Sequence, residues 1–192
     1  QNLCGGTRGM VGSAIVRELR RQGYTNIITR THKELDLTRQ EAVEKFFAEE
    51  KPEYVFLAAA KVGGIVANQS ALADFMYENM ILEMNVIHAA CRTGAKTGVF
   101  RLILYLSTHG TPTDAGIMFV NVGIRKDEWA YALAKISGLK YCEFLNRQYG
   151  TDFISVMPTN LYGPNDNYHP EHSHVLPGAY PSFSWGKGSS LK

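Results

Sequence analysis

Tyr131 and Lys135 stand four residues apart in the stretch YALAK. On a helix that spacing puts both side chains on one face, where an ammonium can act on a phenol. A phenol, with an ordinary pKa of about 10, becomes a better proton donor beside a fixed positive charge. Reducing a ketone needs such a proton together with a hydride from a cofactor. An isolated Y-x-x-x-K is commonly plain helix surface, so its meaning depends on what surrounds it.

A cofactor loop is written near the start. In CGGTRGMVGSA, Gly6, Gly9 and Gly12 are spaced G-x-x-G-x-x-G around Thr7, Arg8, Met10 and Val11, after a short apolar run and before a helical pattern. Glycines there permit a tight turn, close approach of backbone amides to a pyrophosphate, and close packing of helix on strand. The helix N-terminus favours the anion. No Gly-Lys-Ser/Thr follows, which excludes a P-loop. An NAD site usually ends its second strand in an acid; here that strand ends in Arg30-Thr31-His32, and Arg8 lies in the loop. Cations suit a 2′-phosphate, so NADP(H) is the expected cofactor; the competing reading makes Arg8 and Arg30 solvated surface charges.

These residues need a scaffold, and the pattern supplies one. Short β-rich runs alternate with longer helical ones, which predicts an α/β fold: a Rossmann-like parallel sheet with helices on both faces. A helix over GMVGSAIVRELRRQG, with Val11, Ile15 and Leu19 at helical spacing, stops at Gly23 and leads into a strand in YTNIITR. Thr38 and Glu41 form a capping-box pattern before EAVEKFFAEE, which Pro52 ends. YVFLAAA reads as a buried strand before the KVGG loop. A helix from about Asp74 to Arg92 is apolar on more than one side, predicting burial against two neighbours, one of which could be a second subunit. RLILYLS, EWAYALAKISGLKYCEFLNRQYG and TDFISVMP read as strand, helix and strand. Residues 109–127 and 177–192 show no clear period.

Composition narrows the class. The 192 residues are 45% hydrophobic, with 20 Lys+Arg against 18 Asp+Glu, which suits one soluble domain and argues against a nucleic-acid face. No apolar run reaches membrane-spanning length and no signal peptide precedes the glycines, so a cytoplasmic location is expected. Cys4, Cys91 and Cys142 are odd in number without a C-x-x-C pair, predicting reduced structural thiols. HPEHSH offers His169, His172 and His174, but Pro170 interrupts any helix and no fourth ligand pattern follows; no metal is expected. Met76, Met80 and Met84 fit a core or a dimer interface.

Longer strings are more specific. GTRGMVGSA (6–14), LAAAKVGGIVAN (57–68), NVIHAA (85–90), YALAK, NRQYG (146–150) and SVMPTNLYGPNDNYHPEHSHVLP (155–177) together resemble the extended short-chain dehydrogenase/reductases. Within that family they are similar to the branch that epimerises and reduces GDP-4-keto-6-deoxymannose. The resemblance implies an NADP-binding domain over 1–164 and, over 165–192, the start of a small sugar-binding domain most of which is missing. It makes Tyr131, Lys135 and Ser107 the reduction residues, with Lys135 also on the cofactor ribose, and His174 an acid/base for epimerisation that also borders the cofactor. Pro158, Thr159, Asn160 and Leu161 would lie beside the nicotinamide, Asp36 and Leu37 near the adenine, and Asn160, Trp185 and Lys192 on the GDP-sugar. Departures are equally specific. His109 stands at the family's epimerisation cysteine and His32 at its second 2′-phosphate arginine, while residues 108–130 are shortened. The resemblance further implies a homodimer through the two long helices, 74–92 and 128–149. The alternative is a shortened relative that binds NADP(H) without turnover.

Overall fold

The computed structural model describes residues 2–62, 70–95, 97–101, 129–156 and 161–166. Five parallel strands, β1 (Asn2–Gly5), β2 (Ile27–Thr29), β3 (Tyr54–Leu57), β4 (Thr97–Arg101) and β5 (Asp152–Val156), form one sheet in the order β2-β1-β3-β4-β5. Helices α1 (Met10–Arg21), α2 (Gln40–Glu50), α3 (Leu72–Thr93) and α4 (Trp129–Tyr149) are the crossovers. The first crossover runs one way along the sheet and the rest run the other. Right-handed connections therefore put α1 on one face and α2, α3 and α4 on the opposite face. Strand order reverses at β1, and such sheets open a crevice at the carboxyl end of the strand where this happens.

Local chemistry explains the elements. α1 buries Val16 and half-buries Val11, Ile15 and Leu19, while Arg20 and Arg21 occupy its last turn and complement the helix dipole. It ends through Gly23, at φ 90°, whose N–H donates to Arg20 O while Tyr24 N–H donates to Leu19 O. α2 drives Val43, Phe46 and Phe47 into the core, the two rings meeting edge to face at 5.9 Å. The expected capping box does not form: Arg39 is the N-cap, and the Thr38 hydroxyl donates to Asp36 Oδ1 at 2.7 Å instead. In a capping box that hydroxyl would accept from a backbone N–H of the first turn; here the helix starts one residue later and Thr38 lies outside the N-cap position.

α3 is buried on more than one side because it packs between α2 and α4. Both neighbours come from its own chain. β4 begins at Thr97, four residues before the expected RLILYLS strand, and among the described residues the two share Arg101. Thr97 pairs level with Tyr54 of β3 and Asp152 of β5, so the neighbouring strands set where it starts. The rest of RLILYLS lies outside the described residues.

The core joins Leu3, Val55, Leu57 and Phe153 of the sheet to Val86, Ile87 and Ala90 of α3 and to Cys142 and Leu145 of α4. Burial pushes the Cys142 thiol up to about 12. An unfolded thiol ionises near 8.5, so above that pH the unfolded chain sheds a proton the native chain keeps, and stability falls as pH rises. Between pH 8.5 and 10 this contribution is about 2 kcal/mol. Urea denaturation at both pH values should give a smaller alkaline loss for Cys142→Ala than for the native chain by that amount; equal losses would refute it.

Candidate functional site

A cleft of about 760 Å³ opens where the strand order reverses. Its floor is the turn after β1. Gly6 takes φ 78°, and a Cβ there would lie 2.7 Å from Ala58 C and Ala59 N. A Cβ on Gly12 would lie 2.2 Å from Gly6 O, so turn and helix touch backbone to backbone. Gly9 N–H donates to Gly6 O at 3.1 Å and closes the turn. No acidic residue sits in the first turn of α1, which leaves its positive end suited to an anion.

One wall comes from the chain after β2. Asp36 accepts from both the N–H and the hydroxyl of Thr38, and these bonds hold its carboxyl below the usual carboxylate range. Asn85, buried on α3, donates to Leu37 O at 2.9 Å and fixes the next residue. Arg30 lines the cleft, yet its guanidinium reaches Glu50 at 2.6 Å and Thr29 O at 2.9 Å and stacks over Phe46. His32 is exposed, 3.8 Å from Asp36, and Arg8 is exposed at the mouth.

The opposite wall is set by α3. Fully buried Asn79 accepts from Lys61 N–H and donates to Lys61 O, both at 3.0 Å, clamping the loop after β3. Lys61 Nζ pairs with Glu78 at 2.6 Å. One turn beyond Asn79, the Glu83 carboxylate accepts from Lys135 Nζ across the α3–α4 contact, with both side chains almost completely buried. Burial pushes the Glu83 carboxyl up, and the Lys135 ammonium opposes that rise. Lys135 Nζ lies 5.3 Å from the centre of the Tyr131 ring, and both residues line the cleft. The four-residue spacing does bring ammonium and phenol together.

Gly6, Thr7, Arg8, Gly9, Met10, Val11, Gly12, Arg30, His32, Asp36, Leu37, Tyr131 and Lys135 therefore share one cleft. Leu161 is exposed and does not line it. Ser107, His109, Pro158, Thr159, Asn160, His174, Trp185 and Lys192 lie outside the described residues, as do the His169 and His172 of the weighed zinc set. Asn165 and Asp166 do reach the cleft, and Asn165 donates to Ser13 Oγ at the start of α1, bringing the chain after β5 back to the glycine turn. Asn79, Glu83 and Asn85 were not anticipated. Their signal was available: polar residues interrupting the apolar stretch of the helix, with Asn79 and Glu83 one turn apart.

A glycine turn opening onto a helix at the reversal of a parallel sheet is the architecture of dinucleotide-binding domains. The NAD dependent epimerase/dehydratase family model matches residues 3–191, and the chain belongs to that family. Among curated relatives, GDP-L-fucose synthase 1 of Arabidopsis thaliana is 49% identical over 97% of this chain, and GDP-L-fucose synthase of Escherichia coli is 44% identical over 97%. The chain spans 62% of the length of each. Among solved structures, the NADP-bound GDP-mannoheptose C4 reductase of Campylobacter jejuni is 38% identical, with a TM-score of 0.87 over 97% of this chain and 56% of that one. No helix among the described residues is long and apolar enough to cross a membrane.

Proposed function

We propose that this chain acts in the NADPH-dependent epimerisation and reduction of GDP-4-keto-6-deoxy-D-mannose to GDP-L-fucose. The observation that carries the reading is the Tyr131–Lys135 pair on the wall of a cleft floored by a glycine turn. The names of the most similar curated relatives support the substrate class. Residues 1–164 are the cofactor domain on this reading, and 165–192 begin the sugar-binding part.

The cleft fits a dinucleotide. A turn packed backbone to backbone at Gly6 and Gly12, where no Cβ fits, and an acid-free α1 N-terminus suit a pyrophosphate held by Gly6 to Gly12. Asp36 and Leu37 would border the adenine, and Arg8 and His32 would supply positive charge for the 2′-phosphate, all four lining the cleft. Arg30 lines that end of the cleft, held by Glu50, and is a further cation offered to the phosphate. NADPH supplies the hydride. Tyr131 supplies the proton to the C4 oxygen, Lys135 stabilises the phenolate left behind, and Ser107 orients the carbonyl. Inverting C3 and C5 needs a base and an acid on opposite faces, roles given to His174 and His109. His109 in place of cysteine favours the second reading, NADP(H) binding without turnover, since imidazole is longer than a thiol.

Incubating the chain with NADPH and the keto sugar separates the two readings. Loss of absorbance at 340 nm with GDP-L-fucose formed supports the enzyme; NADPH binding without oxidation supports the second reading. A homodimer through α3 and α4 is also proposed. Leu133 and Phe144 are exposed on one face of α4, and Tyr77 is exposed on α3 with Ile81 and Met84 half-buried beside it. Sedimentation should give twice the chain mass for the native protein and the single mass for Phe144→Glu. A native protein at the single mass refutes the dimer.

A further inference from the structure

Glu83 has no role in the chemistry described so far, although it touches the residue that chemistry depends on. We propose that Glu83 is a positioning residue for proton donation: its buried carboxylate keeps Lys135 charged and aims the ammonium at Tyr131. This rests on Tyr131 and Lys135 being the proton-donating pair.

The surroundings make Glu83 the counter-charge. Lys135 is 1% exposed, and a lysine so buried tends to lose its proton unless an anion sits beside it. Glu83 Oε1 accepts from its Nζ, while Oε2 is buried with no hydrogen-bond partner among the described residues. α4 also presents Tyr131 and Cys142 here, the thiol being raised chiefly by burial and partly by the Glu83 charge. α2 turns Val43, Phe46 and Phe47 inward, keeps Glu41, Glu44, Lys45 and Glu49 towards solvent and pairs half-buried Glu50 with Arg30, and β3 contributes Val55 and Leu57. On α3 itself, Asn79 spends its amide on Lys61 and Phe75 O. Glu83 is the one carboxylate in contact with Lys135 among the described residues. A buried ion pair contributes little net stability compared with an apolar pair of similar volume. What this one supplies is a charge held 5.3 Å from the Tyr131 ring.

Glu83→Gln keeps the shape and removes the charge. Its kcat for ketone reduction should fall roughly tenfold or more, with NADPH affinity within about threefold of native. The alkaline limb of kcat should move down by about one pH unit, because Lys135 loses its proton sooner. A native pH profile in Glu83→Gln, or full rate in Glu83→Leu, would overturn the role. The 13Cε resonance of Lys135, assigned with Lys135→Arg, gives a readout that needs no turnover. It should titrate at lower pH in Glu83→Gln than in the native chain, and an unmoved titration overturns the proposal even if reduction is intact. Absence of NADPH oxidation in the native chain would instead count against the reaction, leaving the titration to decide Glu83. If Glu83→Gln does not fold, Glu83→Asp decides: a several-fold lower kcat with the alkaline limb in place supports the role, and an unchanged kcat refutes it.

Discussion

Tyr131→Phe is expected to lower kcat for NADPH-dependent reduction by roughly 10²–10⁴-fold, the usual contribution of a positioned general acid. Affinity for NADPH should stay within about threefold of native, because the hydroxyl transfers the proton and the glycine turn binds the cofactor. The structure makes this a selective change. The ring over which Lys135 Nζ sits at 5.3 Å survives in phenylalanine, so the cation–π contact and the Lys135–Glu83 pair both remain. A melting temperature close to native beside a collapsed kcat is the expected signature, measured by calorimetry and by NADPH oxidation at saturating sugar. Intact turnover would remove Tyr131 as the donor.

Gly12→Ala acts on binding instead. The new Cβ would sit 2.2 Å from Gly6 O and 2.6 Å from Gly6 C, and backbone atoms cannot rotate aside as a side chain end would. Either α1 lifts from the turn or the turn opens, and both destroy the surface shaped for a pyrophosphate. NADPH affinity, read by fluorescence titration, should fall about a hundredfold or more, alongside a stability loss of about 1–3 kcal/mol from overpacking. Gly9→Ala is the control, since its Cβ would meet Gly6 O at 3.5 Å, an ordinary contact. It should melt near the native temperature, so that any affinity it loses reports the methyl group in the cleft and not a disturbed fold. Equal affinities for native and Gly12→Ala would exclude the turn as the anion site.

Much of the scaffold was legible in the chain because periodicity and punctuation are local properties. Alternating apolar runs, Gly23 and Pro52 marked the first two crossovers, and helix 74–92 was placed within two residues at its start and one at its end. Strand position in the middle of the sheet was less legible. RLILYLS is the more apolar run, but β4 begins at Thr97, where its neighbours' registers require. Thr38 likewise satisfied the spacing of a capping box, but the helix begins one residue later with Arg39 as its N-cap, and the Thr38 hydroxyl donates to Asp36. A pattern counts residues along the chain, and a hydrogen bond goes to the best-placed acceptor in space.

The candidate site divides in the same way. By itself the sequence determined which groups could do chemistry: three glycines before a helix, and a phenol and an ammonium one turn apart. Both are short-range patterns whose geometry follows from the helix. Only the tertiary structure decided which glycines the packing itself requires, since spacing treats Gly6, Gly9 and Gly12 alike while the contact of turn with helix does not. It also decided that Arg30 pairs with Glu50, 20 residues away, and that Lys135 meets Glu83, 52 residues away. The physical reason is that charges are paired by packing: α3 lies against α4 through apolar contacts spread along both helices, and that docking sets which carboxylate lies against the buried ammonium.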